Sequence, residues 1–188
     1  VGQIPFYYNY KMPSRLMAKS PKLINDIPLR AYQFSVGESS YWLEYGNKPQ
    51  YPFGYGLTYT TFAYGPVVLS DSCLHASSPD HLVASCEITN TGNRDAVAVP
   101  QLYIRDVVGS MTRPIRELKG FQRVEIPAGE KRTVSFTITE QDLAYWHLAE
   151  GVGLGENGPY AFSAEKGDFQ LWIAPSAAEG AYAEFTLK

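Results

Sequence analysis

From about residue 63 onward, apolar and polar residues alternate in short runs broken by turn residues roughly every ten positions, the pattern of an all-β sandwich. Val134, Phe136 and Ile138 face one way while Thr133, Ser135, Thr137 and Thr139 face the other, the signature of a strand with one buried face. Phe169, Leu171 and Ile173 repeat that period, as do Ala183, Phe185 and Leu187. Strands are predicted at 64–70, 81–89, 97–105, 117–125, 131–139, 168–174 and 182–187. Asn90-Thr91-Gly92-Asn93 breaks the chain after the second, and Ile126-Pro127-Ala128-Gly129 places Pro and Gly where a type I turn favours them. Pro100 has no amide to donate, so the third strand is expected at a sheet edge or with a bulge. One short helical turn is expected over 139–145, with Thr139 as cap and Asp142 facing the positive end of its dipole.

The first sixty residues follow a different rule. Gly2-Gln3-Ile4-Pro5-Phe6-Tyr7-Tyr8 is a short apolar run that suits a buried strand, and behind it Pro13, Pro21, Pro28 and Pro49 punctuate a stretch with no sustained period. A lone strand cannot bury itself, so residues 1–50 read as the last strand and tail of a domain whose remainder lies elsewhere. Residues 51–62 combine Pro52, Gly54 and Gly56 with several aromatics, which reads as a linker pinned against a neighbouring surface. The expected division is 1–50, 51–62 and 63–188.

Ten of the fourteen tyrosines fall within residues 1–64, and a ring with one apolar end and one hydrogen-bonding end favours an interface between domains over ligand contact. The exception is Trp42 with Tyr45, Tyr41 and Glu44, placed in a loop beyond the C-terminal end of a proposed strand, where open α/β sheets bind ligands. These four are the candidate residues of a substrate rim.

Charge narrows the function classes. The formal net charge of -3 conceals six Lys/Arg against three Asp/Glu in residues 1–60 and ten against sixteen beyond, and neither part is basic enough for nucleic acid. No run of eighteen apolar residues is present to cross a bilayer, and Val1 opens inside an apolar stretch, so the chain is expected to start within a longer protein. Cys73 and Cys86 cannot furnish a four-thiolate zinc site; Cys86 lies on the alternation Leu82, Ala84, Cys86, Ile88 and reads as core. Pairing of the two would imply an oxidising compartment, but the intervening turn does not bring them opposite each other. His75, His81 and His147 stand isolated, which suggests neither a metal cluster nor a Ser-His-Asp arrangement. Asp106 and Glu117 are expected to pair with Arg105, Arg113 or Arg116 rather than to catalyse, and Arg113, Arg116, Lys119 and Arg123 read as a connection docked on other domains rather than an anion site. No Asn-x-Ser/Thr acceptor occurs, which favours a bacterial source.

The run Tyr51-Pro52-Phe53-Gly54-Tyr55-Gly56-Leu57-Thr58-Tyr59-Thr60-Thr61-Phe62 resembles the segment joining the second and third domains of family 3 glycoside hydrolases. Ile88-Thr89-Asn90-Thr91-Gly92, Val99-Pro100-Gln101-Leu102-Tyr103-Ile104-Arg105-Asp106 and Thr112-Arg113-Pro114-Ile115-Arg116-Glu117-Leu118-Lys119-Gly120-Phe121 are similar, in order, to parts of that family's fibronectin type III-like domain. Pro127-Ala128-Gly129-Glu130 and Gly167-Asp168-Phe169 continue the likeness, and residues 2–8 resemble the last strand of the family's second domain. The resemblance implies a mainly β, immunoglobulin/fibronectin type III-like sandwich preceded by the end of an α/β sandwich. It implies an exo-acting enzyme that removes terminal β-linked glucose, or less often xylose or N-acetylglucosamine, with retention. Retention needs two carboxyl groups about 5–5.5 Å apart. In the family these lie on an N-terminal barrel and earlier in the second domain, so no catalytic residue, metal or cofactor is expected on this chain. The expected partners are the N-terminal catalytic part of the same enzyme and a β-glucoside or oligosaccharide, in the periplasm or outside the cell. The competing readings are a stand-alone carbohydrate-binding module, which calls for a row of exposed aromatics on one face, and a purely structural domain.

Overall fold

The computed structural model describes residues 51–76, 79–111, 113–149 and 158–188. These form two antiparallel-dominated sheets packed face to face. The first is built on β4 (Leu82–Asn90), whose one edge is covered along its length by β9 (Lys131–Ile138) and whose other edge takes β1 (Phe62–Tyr64) and β2 (Val68–Leu69) in succession. The second runs in the order β3 (Cys73–Leu74), β13 (Ala183–Leu187), β12 (Gly167–Ala174), β6 (Gln101–Asp106) and β7 (Glu117–Phe121), antiparallel except for the β3–β13 contact. Two ribbons complete the described residues: β5 (Ala96–Ala98) with β8 (Val124–Ile126), and β10 (Tyr145–Leu148) with β11 (Tyr160–Ser163).

The period-two alternation does what it predicts. Leu82, Ala84, Cys86 and Ile88 of β4 and Val134, Phe136 and Ile138 of β9 point inward onto Leu102, Ile104, Phe169, Leu171, Ile173, Phe185 and Leu187. Cys86 is therefore core, and Cys73 and Cys86 are both free thiols. β12 departs from strict alternation because both of its faces are covered near its C-terminal end: Trp172 and Ala174 are buried on the side away from the main core.

Several elements differ from the sequence pattern for local reasons. The strand expected at 64–70 is two strands, β1 and β2, interrupted by Gly65-Pro66. The strand expected at 97–105 divides at Pro100, which is buried between β5 and β6 and whose carbonyl accepts the Gln122 amide at 3.1 Å, and β6 shifts register against β7 between Leu102 and Tyr103, the irregularity expected near this proline. That same contact marks the break of the expected 117–125 strand into β7 and β8. The short β3 and the β10–β11 ribbon are additional.

The helical turn is present as α1 (Glu140–Leu143), capped by Thr139, whose amide and hydroxyl donate to Asp142 Oδ2 at 2.8 and 2.9 Å. Asn90, fully buried at the end of β4, satisfies every polar position: Nδ2 donates to the Arg94 and Ile126 carbonyls, and Oδ1 accepts from the Gly92 amide and the Thr60 hydroxyl. It ties the end of the leading segment to the sandwich.

Candidate functional site

Trp42, Tyr45, Tyr41 and Glu44 lie outside the described residues, as does the strand expected near residues 2–8. Two other regions carry the chemistry that is visible, and the basic segment after Met111 runs between them.

The first is the seat of residues 51–55. The Phe53 carbonyl accepts the Ala177 amide at 2.9 Å, and Gln101 Nε2 donates to the carbonyls of Gly54 at 3.0 Å and Pro175 at 2.6 Å. Tyr103, fully buried, donates its hydroxyl to Gln101 Oε1 at 2.5 Å, and burial pushes its phenol pKa up to about 12. Gly54 has φ 79°, and a Cβ there would stand 2.1 Å from Gln101 Oε1, so only glycine permits both the turn and the approach. Phe53, Leu118 and Ala177 close over Tyr103, Trp172 and Ala174. Arg116 lies over the Trp172 ring, its guanidinium carbon 4.2 Å from the centroid, and donates to the Glu179 carbonyl. Residues 53 and 54 are thus pinned to the sandwich through the Phe53 ring and the two carbonyls, whereas Tyr51, Tyr55 and Tyr59, expected to pin the segment as well, are exposed.

The second region is the β10–β11 ribbon. Alternation sends Tyr145 and His147 inward and Trp146 outward, with Phe162 directly across from Trp146. Beneath the ribbon, Tyr145 donates its hydroxyl to Glu165 Oε2, and the Ser110 amide also reaches that oxygen at 2.9 Å. Burial alone would raise the Glu165 pKa, but the Tyr145 and Ser110 hydrogen bonds hold it below the usual carboxylate range. His147 donates from Nδ1 to the Leu148 carbonyl at 2.8 Å, leaving Nε2 to accept the Ser163 hydroxyl at 2.9 Å when the ring is neutral.

Ser163, His147 and Glu165 are the residue types of a hydrolytic triad, yet they are wired otherwise. The Nδ1 proton points at a backbone carbonyl, Glu165 Oε1 is 3.7 Å away, and the other carboxylate oxygen is engaged by Tyr145 and Ser110. A serine nucleophile needs the acid on Nδ1, and here the carbonyl occupies that position.

Between the ribbon, α1 and the segment 113–119 lies an open groove of about 620 Å³, lined among others by Met111, Arg113, Glu117, Lys119, Trp146 and Phe162. Its carboxylates are engaged. Glu117 is bridged by Arg113 and by Lys119, the latter at 2.8 Å; burial opposes ionisation, but the two cations carry its pKa below the usual range. Asp142 closes the α1 cap. Arg113 also stacks on Tyr145, 3.9 Å from the ring centroid.

Glu117 thus pairs as its sequence context suggests. Asp106 does not: its Oδ1 accepts the Val108 amide at 3.1 Å while Oδ2 is buried without a hydrogen-bond partner, and burial pushes its pKa up. The expected ion pair fails because β6 carries Asp106 beneath the 107–110 turn, and Arg113 is drawn to Glu117 and the Tyr145 ring instead. His147 is likewise not isolated, and the Trp146–Phe162 pair gives no short-range signal, since its members are sixteen residues apart. Among the described residues no group of three or more His, Cys, Asp or Glu could hold a metal ion.

Comparison with known proteins places this geometry. Residues 98–177 match the fibronectin type III-like domain family. The whole chain aligns at 35% identity over 187 residues with a periplasmic β-glucosidase of Salmonella typhimurium, covering 21% of that protein. A β-xylosidase of Formosa agariphila is 33% identical over 132 residues, 69% of this chain and 18% of the relative. The structure of a β-glucosidase from Listeria innocua in complex with glucose superposes with TM-score 0.70 at 26% identity, over 98% of this chain and 22% of that one. The chain thus spans about a fifth of the length of these relatives. It belongs to the family 3 glycoside hydrolases and corresponds to their C-terminal region, with a fibronectin type III-like sandwich as its folded body.

Proposed function

We propose that this chain is the C-terminal portion of a retaining, exo-acting β-glycosidase that hydrolyses terminal β-linked glucose, and that it stabilises the domain assembly and borders the substrate entrance. The observation that carries the reading is alignment over the whole chain with a β-glucosidase about five times as long. The bond-cleaving carboxylates then belong to the upstream four-fifths. In keeping with this, the groove carboxylates Glu117 and Asp142 are held by Arg113, Lys119 and the α1 cap rather than poised as an acid and a nucleophile. Residues 1–50 act as the end of the α/β domain, 51–62 as the linker and 63–188 as the sandwich. The N-terminal catalytic part of the same enzyme is the partner, and the enzyme works in the periplasm or outside the cell of a bacterium, as the periplasmic relative suggests.

Trp42 and Tyr45, with Tyr41 and Glu44, form the substrate rim in this reading. The test uses the full-length enzyme on aryl β-glucosides and aryl β-xylosides, with the anomer of the first product followed by NMR. The β-glucoside is the faster substrate and the β-anomer appears first. Trp42→Ala and Tyr45→Ala raise KM or change aglycone preference with kcat little altered. Unchanged kinetics in both variants removes the rim role and leaves a scaffold.

A further inference from the structure

We propose that the groove between the β10–β11 ribbon and the segment 113–119 is a glycan-binding site, which takes an uncharged β-linked glucan or xylan chain against Trp146 and Phe162. Trp146 is 65% exposed and Phe162 48%, with ring centroids 5.4 Å apart. The two rings, tilted 53° to each other, make a contiguous exposed aromatic patch, and such patches mark interaction sites. A pyranose suits such a patch: its axial C–H bonds make one face apolar while its hydroxyls project around the rim, so it needs a ring beneath and polar groups beside it.

The groove supplies both. Glu117, Lys119 and Gln141 line it alongside the two rings and offer acceptors and donors to hydroxyl groups. Its charged lining residues are Arg113 and Lys119 against Glu117 and Asp142, two of each sign, which suits a neutral ligand better than an anion.

The platform is rigid. Cross-strand pairing fixes Trp146 opposite Phe162, while Tyr145 and His147 beneath are held by Glu165, Ser110, Ser163 and the stacked Arg113. Little ordering is left for a ligand to impose. The sugar class follows from the ring-and-hydroxyl chemistry; the β-linkage rests on the proposed function.

The experiment is affinity electrophoresis of the 188-residue chain in gels containing mixed-linkage β-glucan, xylan or dextran. Migration is expected to slow in at least one of the two β-linked polymers and not in the α-linked dextran. Trp146→Ala and Phe162→Ala should each weaken the retardation about tenfold, whereas Tyr59→Ala, on the leading segment, leaves it unchanged. Thermal melts of the variants establish that they fold, and Trp146→Phe, which keeps a ring, should retain most of the binding. Migration unchanged in every gel overturns the proposal, as does retardation that Trp146→Ala preserves or that dextran matches. Trp146 becoming shielded on addition of the upstream part of the enzyme, with no retardation by polymer, also overturns it and assigns the face to a domain contact. No readout here uses hydrolysis, so failure of the groove and failure of the proposed function are distinguishable.

Discussion

Trp172 and Trp146 are the same residue in the same sandwich with opposite surroundings. Trp172 is 4% exposed, covered by Phe53 from the leading segment and stacked beneath Arg116. Trp146 stands open on a two-stranded ribbon, although Arg113 from the same basic segment reaches the neighbouring Tyr145. The basic segment therefore does two jobs a few residues apart: Arg116 seals one ring into the fold, and Arg113 braces the floor below another that is exposed on this chain. The difference separates the part of the chain that is an internal joint from the part that presents a surface.

The sharpest way to break this contrast is stability. Trp172→Ala should cost about 3–5 kcal/mol, because it empties the space between Phe53, Tyr103 and Arg116, while Trp146→Ala should stay within about 0.5 kcal/mol as an exposed change. Urea midpoints measure both, and equal losses would mean that the two rings are packed alike. Next comes the joint itself. Gly54→Val forces a branched residue to φ 79° and drives a side chain into Gln101, with an expected loss of about 2–3 kcal/mol. An unchanged melt would show that the leading segment is not held at Gln101.

A smaller effect probes the ribbon's side through pH. Asp106 is held above its ordinary pKa by burial, so ionising it weakens the fold. Asp106→Asn should therefore melt above the parent at pH 7, and the gap should narrow as the pH falls through the raised value and vanish below about 4, the unfolded carboxyl range. Glu117 and Glu165 have the opposite sign: their pKa values are depressed, so their contribution is present at neutral pH and lost on acidification through those depressed values. A gap that widens towards acid would contradict the assignment for Asp106. The smallest effect is expected at the exposed Lys131–Glu87 pair, where a double-mutant cycle should give about 0.5 kcal/mol or less.

The core was legible because it follows local periods. Val134, Phe136 and Ile138 alternate with threonines and serine, and Thr139 with Asp142 spells a cap within four residues. The turn at Gly54 was legible too, from the Pro and Gly punctuation of residues 52–56. Its mechanism was not, since the atom that demands a glycine at position 54 belongs to Gln101, forty-seven residues on. Pro100 announced an irregularity, and the strand both divides there and shifts register between Leu102 and Tyr103, but only tertiary packing decides where each falls.

The β10–β11 ribbon was the least legible element. Tyr145-Trp146-His147-Leu148 is uniformly large, without the polar alternation of an exposed ribbon, and its partner Tyr160–Ser163 lies beyond an aperiodic stretch. Asp106 misled for the same reason: sequence proximity to arginines does not fix which way a strand points its carboxylate.

The proposed division puts bond cleavage in the upstream part of the enzyme and support in this chain. The most direct measurement is p-nitrophenyl β-glucoside hydrolysis by the 188-residue chain alone and by the same chain combined with its upstream part. No turnover by the chain alone and turnover by the combination is the predicted result; hydrolysis by the purified chain on its own would contradict it.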